Sequence, residues 1–417
     1  MIKNKKKFFK PSNDLRSENV LELHRSILNN EYSKNCDFVL PQNYKFSALG
    51  NKIAFCQIIN CWFNKHPKSI TRIYDNYFPA ENIEIEKVLE EFIFNAEIPT
   101  LLAITLSLKN GIYGYTNKTK NYSDLITPFL QRKIISSYRM LDEKYGEEAL
   151  PHEYFQIHPD FFDSDFFSNN LIFYRKTGPQ YILHNRGNMT PIAKKLFDRI
   201  EVFGDRMSDA SSKELQTNFY EIFDNTFRWG RQNWLLSNNE ESIKFNSTRA
   251  FFISSKNYSN IDKNQDFNSS QVNRSLFLFL KRNKRGTDTK VLELSILDNG
   301  IGIVQTFTGI QFYDKSDNIQ EEYKSLIKAF QFGNTSDTSS KGFNRGFGLS
   351  EVVKKSKKCF LIVKTGHLHL YRDLETHPFS EPFYLFDALG NSKEPNDKTI
   401  NAHPWADGTL FTIIIPL

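Results

Sequence analysis

The chain is poor in sulfur and in long apolar runs. It has four cysteines and four methionines in 417 residues. Cys36, Cys56, Cys61 and Cys359 lack the spacing of a zinc site. A reduced, cytoplasmic protein is the expectation. Cys56 and Cys61 lie in the apolar run AFCQIINCWF, where small core residues are the simplest reading. No stretch of 18 apolar residues occurs, which excludes a long apolar membrane-spanning helix. The opening MIKNKKKFFKPSND is basic but has no apolar segment of the signal-peptide kind. Neither sign of charge dominates: 54 Lys and Arg face 48 Asp and Glu, a net +6. That balance permits nucleic-acid contact without arguing for it. Repeats, low-complexity tracts and a G-x-x-x-x-G-K-[ST] phosphate loop are all missing.

The length favours two domains, and 39% hydrophobic residues with 38 phenylalanines supply enough apolar matter for real cores. Residues 1–190 are expected to form a mixed α and β domain without a catalytic signature. Its strand-like runs are CDFVLP, SITRIY and NNLIFYR, and its helix-like runs are VLEEFIFN and LLAITLSL. HPDFFDSDFF holds Asp160, Asp163 and Asp165, but their spacing is not that of a calcium loop, so an acidic surface turn is expected. Residues 191–417 are expected to form the second domain. A helix is expected at SKELQTNFYEIFDNTFRWG, with strands at STRAFFISS, SLFLFLKRN and KVLELSIL. KRNKRGTDTK then joins the last two as a solvated hairpin turn. A helix at GLSEVVKKSKK leads to a strand at CFLIVKTG, and GTLFTIIIPL is a final strand.

The stretch LELSILDNGIGIVQ (292–305) joins a strand to two glycines. A dinucleotide fingerprint would need a third Gly where Gln305 stands. Asp298 precedes the glycines, and a carboxylate there repels a pyrophosphate. It can accept a hydrogen bond from the amino group of an adenine, so Asp298, Gly300 and Gly302 read as a base-binding turn. Phosphates then need a second site. GNTSDTSSKGFNRGFGLSEVV offers one, because free N–H groups at a helix start favour phosphate oxygens. There Gly346 and Gly348 frame Phe347, a helix begins near Leu349, and Lys341 and Arg345 lie just before. The polar stretch from about 307 to 345 reads as a mobile lid.

The helix ahead of the first strand supplies a third part. At about 100° per residue, Glu221, Asn225 and Arg228 share a narrow polar sector, opposite Leu215, Phe219, Ile222 and Phe223. A Glu can orient and deprotonate a water. An Asn amide oxygen suits Mg²⁺, which prefers hard oxygen ligands. An Arg suits phosphate charge.

These boxes, in this order, resemble the GHKL ATPase superfamily of gyrases, large heat-shock chaperones, histidine kinases and MutL proteins. The resemblance covers about 195–417. It implies a Bergerat-type α/β sandwich, a mixed sheet with helices on one face, that binds Mg²⁺ and ATP. Glu221 would be the general base and Asn225 the Mg²⁺ ligand. Asp298 would bind adenine, with Gly300 and Gly302 giving the loop close approach. Gly346, Gly348 and Leu349 would form the lid hinge at the phosphates, Thr409 in DGTLF would stand near the adenine pocket, and Arg228 occupies the place of a phosphate-contacting Lys.

Because the GT strand is last, the layout resembles histidine kinases and anti-sigma-factor kinases. His184 lies 37 residues before Glu221, too close to serve as a phospho-acceptor on a long hairpin, and reads as structural. His24 lacks a following hairpin partner. His367 and His369 in GHLHLYR read as a solvated strand face. Trp229 stands where anti-sigma-factor kinases commonly have His. The expectation is a prokaryotic regulatory or phage-defence ATPase that hydrolyses slowly and switches a lid toward a protein partner, STAS-like or a second copy. The alternatives are a serine/threonine kinase of anti-sigma-factor type and a non-hydrolysing nucleotide sensor.

Overall fold

The computed structural model describes residues 6–11, 15, 17–28, 32–41, 44–46, 49–74, 85–108, 110–114, 120–139, 153–159, 173–177, 180–200, 209–229, 248–259, 261, 270–310, 312, 318–331, 348–380, 382–390 and 400–417. The chain folds into two compact units, Met1–Ser137 and Tyr138–Leu417. The second unit thus begins well before the boundary expected near residue 190, because a strand at Glu153–Pro159 pairs into its sheet.

The first unit alternates strand and helix: β1 (Lys6–Phe9), α1 (Ser17–Leu28), β2 (Tyr32–Val39), α2 (Asn51–Lys65), β3 (Thr71–Ile73), α3 (Ile85–Asn95), α4 (Ile98–Ser107), β4 (Ile112–Gly114) and α5 (Ser123–Arg139). The strands form a parallel sheet in the order β1-β2-β3-β4, and the helices between them supply the crossovers that parallel pairing needs. AFCQIINCWF is the buried body of α2, and Cys56 and Cys61 are buried in the core without a disulfide. Trp62 stacks on Phe9 at 4.4 Å, and its indole N–H donates to Ser69 Oγ at 2.9 Å. Arg72 and Asp37 form a buried ion pair at 2.6 Å, which satisfies two charges that burial alone would penalise.

The second unit contains β5 (Glu153–Pro159), β6 (Tyr174–Thr177), β7 (Gln180–Leu183), α6 (Arg186–Arg199), α7 (Asp209–Trp229), β8 (Thr248–Ser259), α8 (Gln271–Arg282), β9 (Asp288–Asp298), α9 (Ile303–Thr308), α10 (Ile319–Ala329), α11 (Gly348–Lys355), β10 (Phe360–Gly366), β11 (Leu368–Asp373), β12 (Phe386–Asp387) and β13 (Ala406–Pro416). A seven-stranded sheet runs β12-β11-β10-β13-β9-β8-β5. β6 and β7 form a separate hairpin.

Two features of the sheet correct the expectation of a mixed sheet with helices on one face. Every described pairing in it is antiparallel; the parallel pairing is in the other unit. Helices also pack on both faces. The register aligns Phe251, Ile296, Phe411 and Val363 on one face. On that face Phe251 meets Phe219 of α7 at 5.0 Å and Phe411 meets Phe330, next to α10, at 6.2 Å. Phe360, an odd number of residues from Val363, points the other way and meets Phe279 of α8 at 5.7 Å. Burial on both faces explains why β8 and β9 read as near-continuous apolar runs; Phe251, Phe252, Ile253, Leu292, Leu294 and Ile296 are all buried.

α8 corrects the strand expected at SLFLFLKRN. Val272, Leu276, Phe279 and Leu280 are its buried stripe, at helical spacing. Ser270 caps it by accepting from Asn273 N at 3.3 Å, which satisfies a donor the helix cannot use itself. KRNKRGTDTK is therefore a helix-to-strand connection rather than a hairpin turn. The stretch read as a lid is corrected in part as well. Residues 319–329 form α10, which buries Ile319, Tyr323, Leu326 and Ile327, and Tyr323 Oη donates to the Leu385 carbonyl at 2.9 Å.

Candidate functional site

Asp298 ends β9 and is buried. Its Oδ1 accepts from Gly300 N at 3.0 Å and from Thr409 N at 3.3 Å. Thr409 Oγ1 accepts from Ile303 N at 3.0 Å and lies 3.3 Å from Thr365 Oγ1, which donates to the Gly408 carbonyl at 3.0 Å. The carboxylate turn and the GT strand, more than a hundred residues apart, are thus knitted at one end of the sheet. Asp298, Thr409 and Thr365 each lie two residues along from Ile296, Phe411 and Val363, and so share the face on which α7 and α10 pack. α7 itself lies against β9 and β13.

The glycines here are required by close packing. Gly408 has φ 71°, and a Cβ on it would fall 1.9 Å from the Asp298 carbonyl oxygen. Gly302 has φ 85°, and its Cβ would meet Thr365 Oγ1 at 2.6 Å and the Gly408 carbonyl at 3.1 Å. Both φ values are ones that side-chain-bearing residues rarely adopt.

Burial pushes the Asp298 carboxyl up to about 7; the Gly300 and Thr409 N–H groups and the charge of Arg249, its register partner on β8, pull the other way and are outweighed. A carboxyl held at this value is unusual and marks a functional candidate.

The second cluster is built on α7. Leu215, Phe219, Ile222 and Phe223 are buried, as the helical periodicity predicts. On another side Asn225 Nδ2 donates to the Glu221 carbonyl at 2.7 Å. A Cβ on Gly348, the first residue of α11, would fall 2.7 Å from Glu221 Oε2 and 3.4 Å from Asn225 Nδ2. Glu221, Asn225 and Gly348 are therefore brought together, with Leu349 buried just beyond. Burial raises the Glu221 pKa; Arg186 and Lys355 oppose this, and Asp224 and Glu351 add to it.

Three polar residues near Glu221 stand outside the sequence motifs. Arg186, the first residue of α6, pairs with Glu221 Oε1 at 3.2 Å. Asn218 Nδ2 donates to Ser356 Oγ at 2.7 Å, just after α11. Burial pushes Glu214 up to about 7 against the Ser356 hydrogen bond and the charge of Lys357. Positions 214, 218, 221 and 225 recur at helical spacing, a signal that could have revealed Glu214 and Asn218. No local pattern points to Arg186.

Arg228 lies on α7, with its side chain outside the described residues, as are Lys341, Arg345 and Gly346 entirely. Asp160, Asp163 and Asp165 are outside them too. The solvated face expected for His367 and His369 is corrected. His367 is buried, its N–H donates to Glu322 Oε1 at 2.9 Å, and its Nδ1 lies 3.0 Å from Glu322 Oε2. His369 is partly buried, its ring 5.4 Å from that of His403. The described residues contain no group of three His, Cys, Asp or Glu arranged to hold a metal, and no helix among them is long and apolar enough to cross a membrane. Comparison of the chain with protein-family models, with curated proteins and with solved structures gives no match.

Proposed function

We propose that residues of the second unit bind Mg²⁺-ATP in a GHKL-type pocket, hydrolyse it slowly, and use the nucleotide to switch a protein-binding surface. The unit would then be a variant of the Bergerat-type sandwich with an antiparallel sheet and one extra helix on its second face. The observation that carries the proposal is the buried Asp298 carboxylate, whose Oδ1 is held by the N–H groups of Gly300 and Thr409. Both donors are on one oxygen, so the other is available to an exocyclic amino group. Spending a buried carboxylate in this way makes sense where a ligand supplies the missing donor.

The residues of α7 fit the metal by their chemistry. Asn225 uses its amide nitrogen on the Glu221 carbonyl, leaving the amide oxygen for a hard cation. Bound Mg²⁺ would neutralise phosphate charge. Glu221 would take a proton from water as the water oxygen bonds to the terminal phosphorus and the bond to ADP breaks. Gly348 opens α11 directly against Glu221, and the backbone N–H groups of that turn would face the phosphates.

Incubation with ATP labelled at the terminal phosphate tests the proposal and separates its variants. Released labelled phosphate, lost about 10²- to 10⁴-fold in Glu221→Ala while ATP is still bound, is the expected result. Label transferred to a Ser or Thr of a partner protein would instead identify a kinase. ATP retained intact would identify a sensor. A protein that retains no label and releases none would overturn the proposal.

A further inference from the structure

The geometry points to Arg186 as a catalytic residue that leaves Glu221 for the terminal phosphate when ATP binds. The inference rests on the proposed nucleotide site and adds to it a residue from outside the helix that carries Glu221.

Three observations lead there. Arg186 Nη1 lies 3.2 Å from Glu221 Oε1, and the two side chains are 47% and 14% exposed respectively. The guanidinium thus stands at the open side of the cluster while the carboxylate lies within it. Second, Glu221 is flanked on its other oxygen by the start of α11, with Gly348 close enough that a Cβ would fall 2.7 Å from Oε2. The arginine and the proposed phosphate-facing turn therefore approach the same carboxylate from its two oxygens. Third, Arg186 is the first residue of α6, on a helix pinned by its Asn185 cap, which accepts from Asn188 N at 3.0 Å. α6 is also packed on α7 through Phe197 and Phe219, 6.0 Å apart. The backbone is fixed and the side chain is long, so the charge can move a few ångströms without moving the helix.

Charges around the pair decide where the guanidinium goes. Glu221 is flanked by Asp224 on its own helix and by Glu351 and Lys355 on α11, and Lys355 is itself paired with Glu351 at 2.6 Å. A terminal phosphate brings more negative charge than one carboxylate and presents oxygens that a planar fork can engage at two points. Its arrival draws Arg186 off Oε1. That leaves Oε1 able to accept a hydrogen bond from water, so one movement neutralises phosphate charge and exposes the base. ADP lacks the terminal group and leaves the ion pair intact.

Isothermal titration with ADP and with a non-hydrolysable ATP analogue, both with Mg²⁺, tests this in the full-length chain. The wild type should prefer the analogue. Arg186→Ala should lose that preference by about 10- to 100-fold, the range of a charge-assisted contact, with the loss falling on the analogue rather than on ADP. Arg186→Lys should keep part of it. Glu221→Gln should bind the analogue more tightly than wild type, and Arg186→Ala in that background should abolish the gain. An unchanged preference in Arg186→Ala, a wild type without preference, or a gain that survives in the double variant overturns the role of Arg186 while leaving the nucleotide site standing. A wild type that binds neither nucleotide overturns both.

Discussion

Asp298 offers a prediction whose magnitude follows from its surroundings. Burial holds its carboxyl at about 7, against an ordinary value of 3.8. At about 1.4 kcal/mol per pH unit, keeping it ionised in the folded protein above pH 7 costs on the order of 4 kcal/mol, less whatever local relaxation recovers. For an acid with a raised folded pKa the sign runs one way: this cost is absent below pH 4, grows as pH rises through the interval, and is complete above about 7. Asp298→Asn removes it. The variant should therefore melt at a higher temperature than wild type at pH 8, and the gap should close toward pH 5. The ligand should show the complementary trend. An amino group donating to Asp298 favours the ionised form, which is about a tenth populated at pH 6 and about nine-tenths at pH 8 for a pKa near 7. Affinity for adenosine, which carries no phosphate to titrate, should rise about tenfold between those two pH values. Competition against a fluorescent adenine nucleotide would measure it. Affinity that is flat or falls over this range would refute the assignment of Asp298 as the acceptor.

Two further outcomes concern the scaffold. Gly408→Ala must adopt φ 71° and place a Cβ 1.9 Å from a backbone oxygen; the left-handed backbone alone costs roughly 1–2 kcal/mol, so thermal unfolding of this unit should fall by several degrees, and an unchanged melting point would contradict the close approach of β13 to Asp298. In hydrogen exchange, amides of α10 should be protected without nucleotide, because Ile319, Tyr323, Leu326 and Ile327 are buried; exchange as fast as an open loop would show that the helix is not docked.

Much of the second unit was readable because its elements carry strong local signals. β8, β9, β10 and β13 are apolar runs too long to be anything but buried, and α7 alternates Phe219, Ile222 and Phe223 with Glu221 and Asn225 at helical period. SLFLFL failed because Leu and Phe alternate at period two while the buried set, Val272, Leu276, Phe279 and Leu280, follows period 3.6. The deciding residue is Ser270, a cap that lies upstream of the apolar run itself. The polar stretch 307–345 concealed α10 because its four apolar anchors are spread among charges. Residues 153–159 fell inside the range given to the first domain and were not read as a strand, because their partner, β8, is nearly a hundred residues away and pairing across that distance leaves no local trace. The site divides in the same way. Asp298 and Gly302 stood out in the sequence as a carboxylate and a glycine at a strand end, and Thr409 was named through the resemblance alone. Their mutual hydrogen bonds were not, and Arg186 was invisible because its partnership with Glu221 exists only in the folded chain.

Isothermal titration of Mg²⁺-ATP against wild type and Asp298→Asn tests the central claim most directly. The account predicts measurable binding by wild type and a loss of at least tenfold in the variant, whose amide turns either a second donor or a weaker acceptor toward the adenine. Equal binding by the two proteins, or none by wild type, would contradict it.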